Sequence, residues 1–321
     1  MQTSLIAGGA GFIGSHLSRR LLNDGHRVIC VDNLITSSRE NIKEIEGNKN
    51  FTFIEHDITK PLPSTVTANY VFHLASPASP NHHSKISYHA LPMQTMMANT
   101  EGTHQLLEFS QKNNAVFLFA SSSEVYGDPH VSPQSETYLG NTSTTGPRSI
   151  YDEAKRFGET LTSYYHRDLD ADTRIARIFN TYGPYMSAED MRMSIIFILQ
   201  ALENKPITIF GDGTQTRSLC YVDDTVEGLL NLMFTPNAKG EVVNIGASIE
   251  HTVLEYAQII KKITDSKSEI VFSEKLPQDD PKKRKPDIQK AKTLLGWEPH
   301  TSLEDGLKKL TDWCRKSTIS L

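Results

Sequence analysis

The stretch that most constrains this chain is its beginning, TSLIAGGAGFIGSHLSRRLLNDG. Residues 3–7 are short and apolar, as in a buried strand, and a segment of helical period follows the glycines. A strand that turns sharply through glycines into a helix leaves helix amides unpaired at the turn, where a phosphate can sit. Gly8 suits the tight turn, Gly11 lets the backbone around Phe12 and Ile13 approach a pyrophosphate, and Gly14 lets the helix pack on the strand. The spacing G-x-x-G-x-x-G is a variant, and alone it describes no more than a tight turn.

The context strengthens it. A second strand, 27–31, ends in Asp32-Asn33, at the distance where a carboxylate accepts hydrogen bonds from the adenosine ribose. Such a carboxylate repels a 2′-phosphate, which favours NAD over NADP. Further near-continuous apolar strands are expected at 51–55 and 70–74. Asp57-Ile58 follows the first, where an adenine edge could be met. Leu74-Ala75 ends the second and leads into a stiff Ser-Pro loop. One long amphipathic helix is expected over 93–113, and strands over 115–120 and 172–178. This alternation predicts an α/β fold, a doubly wound parallel sheet of the Rossmann type. Residues 1–179, with an interleaved segment near 218–245, form the expected dinucleotide-binding domain. Residues 180–321 form a mainly substrate-binding region, with helices over 189–203 and 252–265 and from about 223.

The stretch 118–155, LFASSSEVYGDPHVSPQSETYLGNTSTTGPRSIYDEAK, carries the candidate chemistry. Tyr151 and Lys155 lie one helical turn apart, so phenol and ammonium share a face. A nearby cation favours the phenolate, and the Ser122 hydroxyl at a strand end can bond the same oxygen. Together they suit removal of a proton from an alcohol. Taken alone, Y-x-x-x-K is more often a surface helix pair; the upstream glycine turn changes the odds.

The 321 residues carry a net charge of −5, which argues against nucleic-acid or anionic-membrane binding. Cys30, Cys220 and Cys314 are too few and too scattered for a disulfide framework or zinc site. His82 and His83 lack partners at metal spacing, so no metal is expected. The chain carries neither a secretory leader pattern nor a membrane-spanning apolar run, which points to the cytoplasm, although a trimmed anchor would leave the same sequence. The basic run 281–286 reads as a solvated loop or as a source of a pyrophosphate clamp, and Arg217 is open to the same two readings.

Across residues 5 to about 299, the motifs GGAGFIGSHL, HLASPASP, SSSEVYGDP, GPRSIYDEAKR, RIFNTYGP, IFGDGTQTRSLCYVDD and DDPKKRKPDI resemble those of the extended short-chain dehydrogenase/reductases, and more closely the UDP-glucuronate decarboxylases (UDP-xylose synthases). The resemblance implies catalytic Ser122, Glu124, Tyr151 and Lys155. It implies NAD held by Gly8, Gly11, Phe12, Ile13, Gly14, Asp32, Asn33, Asp57, Ile58, Leu74, Ala75 and Lys155. It implies a UDP-sugar met by Ser123, Asn180, Arg192, Arg217 and Arg284, and a homodimer through the helices at 93–113 and 150–168. Many relatives have Gly at Ser37, Arg at Tyr185 and Gly at Met191. The loop 81–92 is longer than the usual one, whose substrate-facing tyrosine Tyr88 is the candidate to replace.

Four other readings compete. A 4,6-dehydratase usually has Asp-Glu where Ser123-Glu124 stands, and a 4-epimerase usually lacks that glutamate. A decarboxylase could also release the 4-keto pentose. A non-catalytic NAD-sensing regulator would have no need of Ser122, Tyr151 and Lys155 together.

Overall fold

The computed structural model describes residues 1–273, 275 and 283–317. Seven parallel strands form the central sheet: β1 (Thr3–Ala7), β2 (Arg27–Asp32), β3 (Phe51–Glu55), β4 (Tyr70–His73), β5 (Val116–Ser122), β6 (Thr173–Ile178) and β7 (Val242–Ile245). Their spatial order is β7-β6-β5-β4-β1-β2-β3. The order reverses between β1 and β4, and open α/β sheets bind ligands in the crevice at such a point. The strands are apolar because both faces are covered. On one face Leu17 and Leu21 of α1 (Phe12–Asn23) pack with Val226 and Leu229 of α6 (Val222–Phe234). On the other, Leu106 and Leu107 of α3 (Glu101–Asn113) pack with Tyr165 of α4 (Ser149–Leu169).

The single helix expected over 93–113 is two, α2 (Pro92–Asn99) and α3, broken at Thr100 (φ −111°, ψ −80°). The apolar period runs through the break, so periodicity does not reveal it. Thr95, Asn99, Thr100 and Thr103 each bond back to the carbonyl four residues earlier. Side chains that bond back in this way bend helices.

The helix expected over 189–203 is likewise a 3-10 turn, Ala188–Asp190, and then α5 (Met193–Leu202). Between them Met191 adopts φ 55° and Arg192 is extended. Arg192 is drawn aside by the Asp190 carboxylate at 3.0 Å and the Ala78 carbonyl at 2.8 Å.

Past β6 the chain builds a smaller layer from α5, α7 (Val253–Thr264) and α9 (Leu303–Lys316), with Ile270–Phe272 pairing in parallel with Ile207–Ile209. The helix α8 (Gln289–Leu295) packs against the sheet edge near β7. Part of the basic run, residues 281–282, lies outside the described residues. Among the described residues no helix is long and apolar enough to cross a membrane.

Candidate active site

A cavity of about 960 Å³ opens along the carboxyl ends of β1, β4 and β5. Its glycine end is built as the first motif predicts. Gly8 has φ +81°, and a Cβ there would lie 2.7 Å from the Ala75 backbone nitrogen, so the loop after β4 rests on the turn itself. At Gly14 a Cβ would fall 2.1 Å from the Gly8 carbonyl oxygen. Gly14→Ala is therefore expected to cost about 1–3 kcal/mol by overpacking and to weaken NAD binding; thermal unfolding and NAD titration read the two effects.

Helix α1 starts at Phe12 with no side-chain cap, so its first amides are left for an anion. Gly11, Phe12 and Ile13 line the cavity there, and Leu74 lines it from the neighbouring strand end. The turn, the uncapped helix and the cavity fit a dinucleotide pyrophosphate.

Asp32 is buried at the end of β2. Its Oδ2 accepts from the Ala10 amide at 3.0 Å, and its Oδ1 accepts from the Leu34 amide at 2.9 Å and the Ser37 hydroxyl at 2.7 Å. Burial pushes its carboxyl up, and these hydrogen bonds oppose the shift. Ser37, a departure from the family pattern, thus bonds the carboxylate expected to serve the ribose.

Four of the other expected cofactor residues, Asn33, Asp57, Ile58 and Ala75, are not among those that line the cavity. Asn33 accepts from the Ile35 amide and Asp57 from the Thr59 amide, each capping its own turn. Ile58 is buried against Gly102, and Ala75 backs Gly8. The adenine edge expected at Asp57-Ile58 is therefore not part of the cavity lining.

At the far end Ser122, Tyr151 and Lys155 come together, bringing a strand end and the first turns of α4 onto one cavity. Burial pushes the Tyr151 phenol up to about 12, and a hydrogen bond from Ser122 opposes this. Lys155 is 3% exposed. Its ammonium donates to the Ala120 carbonyl at 2.7 Å and lies 5.6 Å from the Tyr151 ring centre. Burial brings it down to about 7, with Glu159 opposing. The cation expected to lower the phenol is adjacent, yet desolvation dominates both groups in the protein alone.

Tyr88, fully buried, stacks on Tyr151 with ring centres 5.1 Å apart and planes 14° off parallel. Its hydroxyl has no hydrogen-bond partner, and the residue lines the cavity. Desolvation of that hydroxyl needs a compensating partner, which a substrate can supply.

Glu124 sits in the 3-10 turn Ser123–Tyr126 directly after β5. Arg148 bonds its Oε2, and the Arg284 guanidinium lies 2.6 Å from its Oε1. Burial opposes ionisation, but the two guanidiniums win and hold the carboxyl well below the usual range. Arg284 is 2% exposed and also donates to the Ser123 hydroxyl at 3.2 Å and the Gly127 carbonyl at 2.9 Å. Its guanidinium is turned onto Glu124, and Arg284, expected as a contact of the sugar nucleotide, is not among the residues that line the cavity.

Arg217 is also outside that lining and donates to the Thr216 carbonyl at 2.8 Å. Asn180, Arg192 and Ser123 do line the cavity. Arg148 was missed as a site residue, although it stands in the quoted GPRSIYDEAKR motif, three residues before Tyr151.

Residues 4–246 match the model of the NAD dependent epimerase/dehydratase family. The chain is 46% identical over 312 residues to UDP-glucuronic acid decarboxylase 1 of Xenopus tropicalis, covering 97% of this chain and 72% of that protein. It is 47% identical over 304 residues to UDP-glucuronic acid decarboxylase 3 of Arabidopsis thaliana, covering 94% and 86%. Among solved structures it is similar to UDP-glucuronic acid 4-epimerase from Bacillus cereus in complex with UDP-glucuronic acid and NAD, with TM-score 0.85, 33% identity and 98% and 99% coverage. The glycine turn, the Ser-Tyr-Lys convergence and these likenesses agree: the chain belongs to the NAD-dependent epimerase/dehydratase family and, within it, to the UDP-glucuronic acid decarboxylases.

Proposed function

We propose that this protein is an NAD-dependent carboxy-lyase that converts UDP-glucuronate to UDP-xylose through a UDP-4-keto intermediate. The observation that carries the reading is Glu124 gripped by two arginines beside the Ser122-Tyr151-Lys155 group, at the end of a cavity lined by a dinucleotide turn. NAD, bound along that turn, supplies the hydride acceptor for C4 and is regenerated within the cycle.

The chain's own groups handle the protons. Tyr151, acting as the phenolate that the adjacent Lys155 ammonium and the Ser122 hydrogen bond favour, receives the proton of the C4 hydroxyl. The resulting ketone is β to the C6 carboxylate, so loss of CO2 leaves an enolate whose charge reaches the ketone oxygen. Donors from Ser122 and Tyr151 at that oxygen stabilise it. A proton from solvent at C5, return of hydride to C4 and return of the Tyr151 proton to the C4 oxygen then complete UDP-xylose. A carboxylate held ionised by two cations is a weak base, which favours a positioning role for Glu124 at C5–C6 over proton transfer. The unpartnered Tyr88 hydroxyl and the Arg192 guanidinium are donors for the sugar nucleotide.

Incubation with UDP-glucuronate and NAD, followed by proton NMR and CO2 release, tests the reading. UDP-xylose with CO2 is expected. UDP-galacturonate without CO2 would make the protein a 4-epimerase, like its structural neighbour, and accumulation of the 4-keto pentose would mean that the return of hydride is not completed.

Residues 1–179 with the interleaved segment near 218–245 serve in this reading as the cofactor unit, and the remainder carries the sugar nucleotide. A homodimer belongs to it as well. Met93 and Met97 on α2 and Phe157 and Tyr164 on α4 are large apolar side chains left exposed at 58%, 40%, 48% and 44%, on two helices that pack together. Sedimentation is expected to give a dimer, and Phe157→Glu to shift it toward monomer. The three cysteines, buried and unpaired, suit the reducing cytoplasm.

A further inference from the structure

Arg284 reaches Glu124 only if the backbone that carries it is held in register. The described segment after it, Lys285 to Ile288, belongs to no regular sheet; Gln134↔Pro286 is an isolated parallel bridge. At such a bridge a slip of one residue turns a side chain to the opposite face. Something must therefore specify the register without the help of a ladder.

Gln134, fully buried, supplies it from both backbone and side chain. Its amide donates to the Lys285 carbonyl at 2.8 Å, and its carbonyl accepts from the Asp287 amide at 2.8 Å. Its side-chain Oε1 accepts from the Lys285 amide at 2.9 Å, where a ladder would have offered a backbone carbonyl. Its Nε2 donates to the Val131 carbonyl at 2.6 Å, which fixes the carboxamide's orientation.

Asn244, also fully buried, closes the arrangement by donating to the Gln134 and Asp287 carbonyls at 3.0 Å each. The Ser218 hydroxyl donates to the Arg284 carbonyl itself at 3.1 Å.

We propose that Gln134 is a positioning residue for decarboxylation: by fixing the register of residues 285–287 it sets the Arg284 guanidinium on Glu124. The inference rests on the reading above, in which the Glu124–Arg284 pair serves the reacting sugar.

Gln134→Met keeps the side-chain size and removes both polar atoms. Its expected signature is a fall in kcat of about tenfold or more, with KM for UDP-glucuronate and bound NAD little changed. A second signature separates positioning from general weakening. With Arg284 displaced, Glu124 keeps Arg148 but still faces the buried Asp152, and burial is less fully opposed, so its ionised form is lost at a higher pH and the acid limb of the pH–rate profile moves up from its wild-type position.

If Gln134→Met does not fold, Ser218→Ala loosens the same segment with a smaller volume change and is expected to show the same shift of the acid limb with a smaller loss of kcat. Wild-type kcat and pH profile in the folded Gln134→Met protein, or in Ser218→Ala where that one cannot be made, overturn the proposal. Glu124→Gln separates the two levels. Full turnover in that variant overturns the reading of the pair itself, whereas a crippled Glu124→Gln beside an unaffected Gln134→Met overturns only the role given to Gln134.

Discussion

Tyr151→Phe is expected to lower kcat on UDP-glucuronate by roughly 10²–10⁴-fold, the share that a positioned proton-transfer group contributes, while leaving NAD binding close to wild type. The ring is retained, so the stack on Tyr88 and the packing against Lys155 survive, and only the hydroxyl next to Ser122 is lost. Stability is expected to change by no more than about 1 kcal/mol, because the ring packing is kept and only the hydrogen bond to Ser122 is lost. Steady-state kinetics with bound-NAD content from the same preparation decide the matter. Unchanged turnover would remove Tyr151 from the chemistry altogether.

Arg284→Met is expected to be worse for the protein as a whole. Removing one partner of a buried ion pair leaves an uncompensated charge and costs about 3–5 kcal/mol. Arg148 remains, so part of the charge of Glu124 is still met. The sign of the pH effect follows. In the wild type the Glu124 carboxyl lies well below its ordinary value, so its contribution to stability is present above that value and is lost only as the pH falls toward the depressed one. Without Arg284 the depression shrinks and burial pushes upward, so stability and turnover begin to fall at a higher pH. Denaturant midpoints and kcat across the acid range, compared with wild type, show whether this happens. Superimposable acid limbs would mean that Arg284 does not set the state of Glu124.

Much of this was legible in the chain. Glycines between an apolar strand and an amphipathic helix have few structural alternatives, and Gly8 and Gly14 occupy the tight positions that the motif assigns them. Ser122, Tyr151 and Lys155 were legible because strand end and helix turn are local features. What surrounds Glu124 was not, for a physical reason: its partners come from separate segments, and no period links an acid in one loop to an arginine in another. Arg284 was noticed for its charge, yet charge alone favours a phosphate partner as readily as a buried carboxylate. The break at Thr100 was hidden because apolar spacing reports which face is buried and not whether the axis stays straight. Ser37 was recognised as unusual, but only its bond to Asp32 shows what it does.

The grip on Glu124 also bears on how the protein is made. The arginine that completes it lies 161 residues after Ser123, and the last sheet strand, Val242–Ile245, also comes late in the chain. Folding during synthesis proceeds from the amino end. A nascent polypeptide can thus shape the nucleotide turn and the tyrosine helix well before the second guanidinium has left the ribosome. Until then the acid is only half neutralised and the sugar end stays unfinished, so the capacity to hold a dinucleotide should emerge during translation ahead of the capacity to turn over.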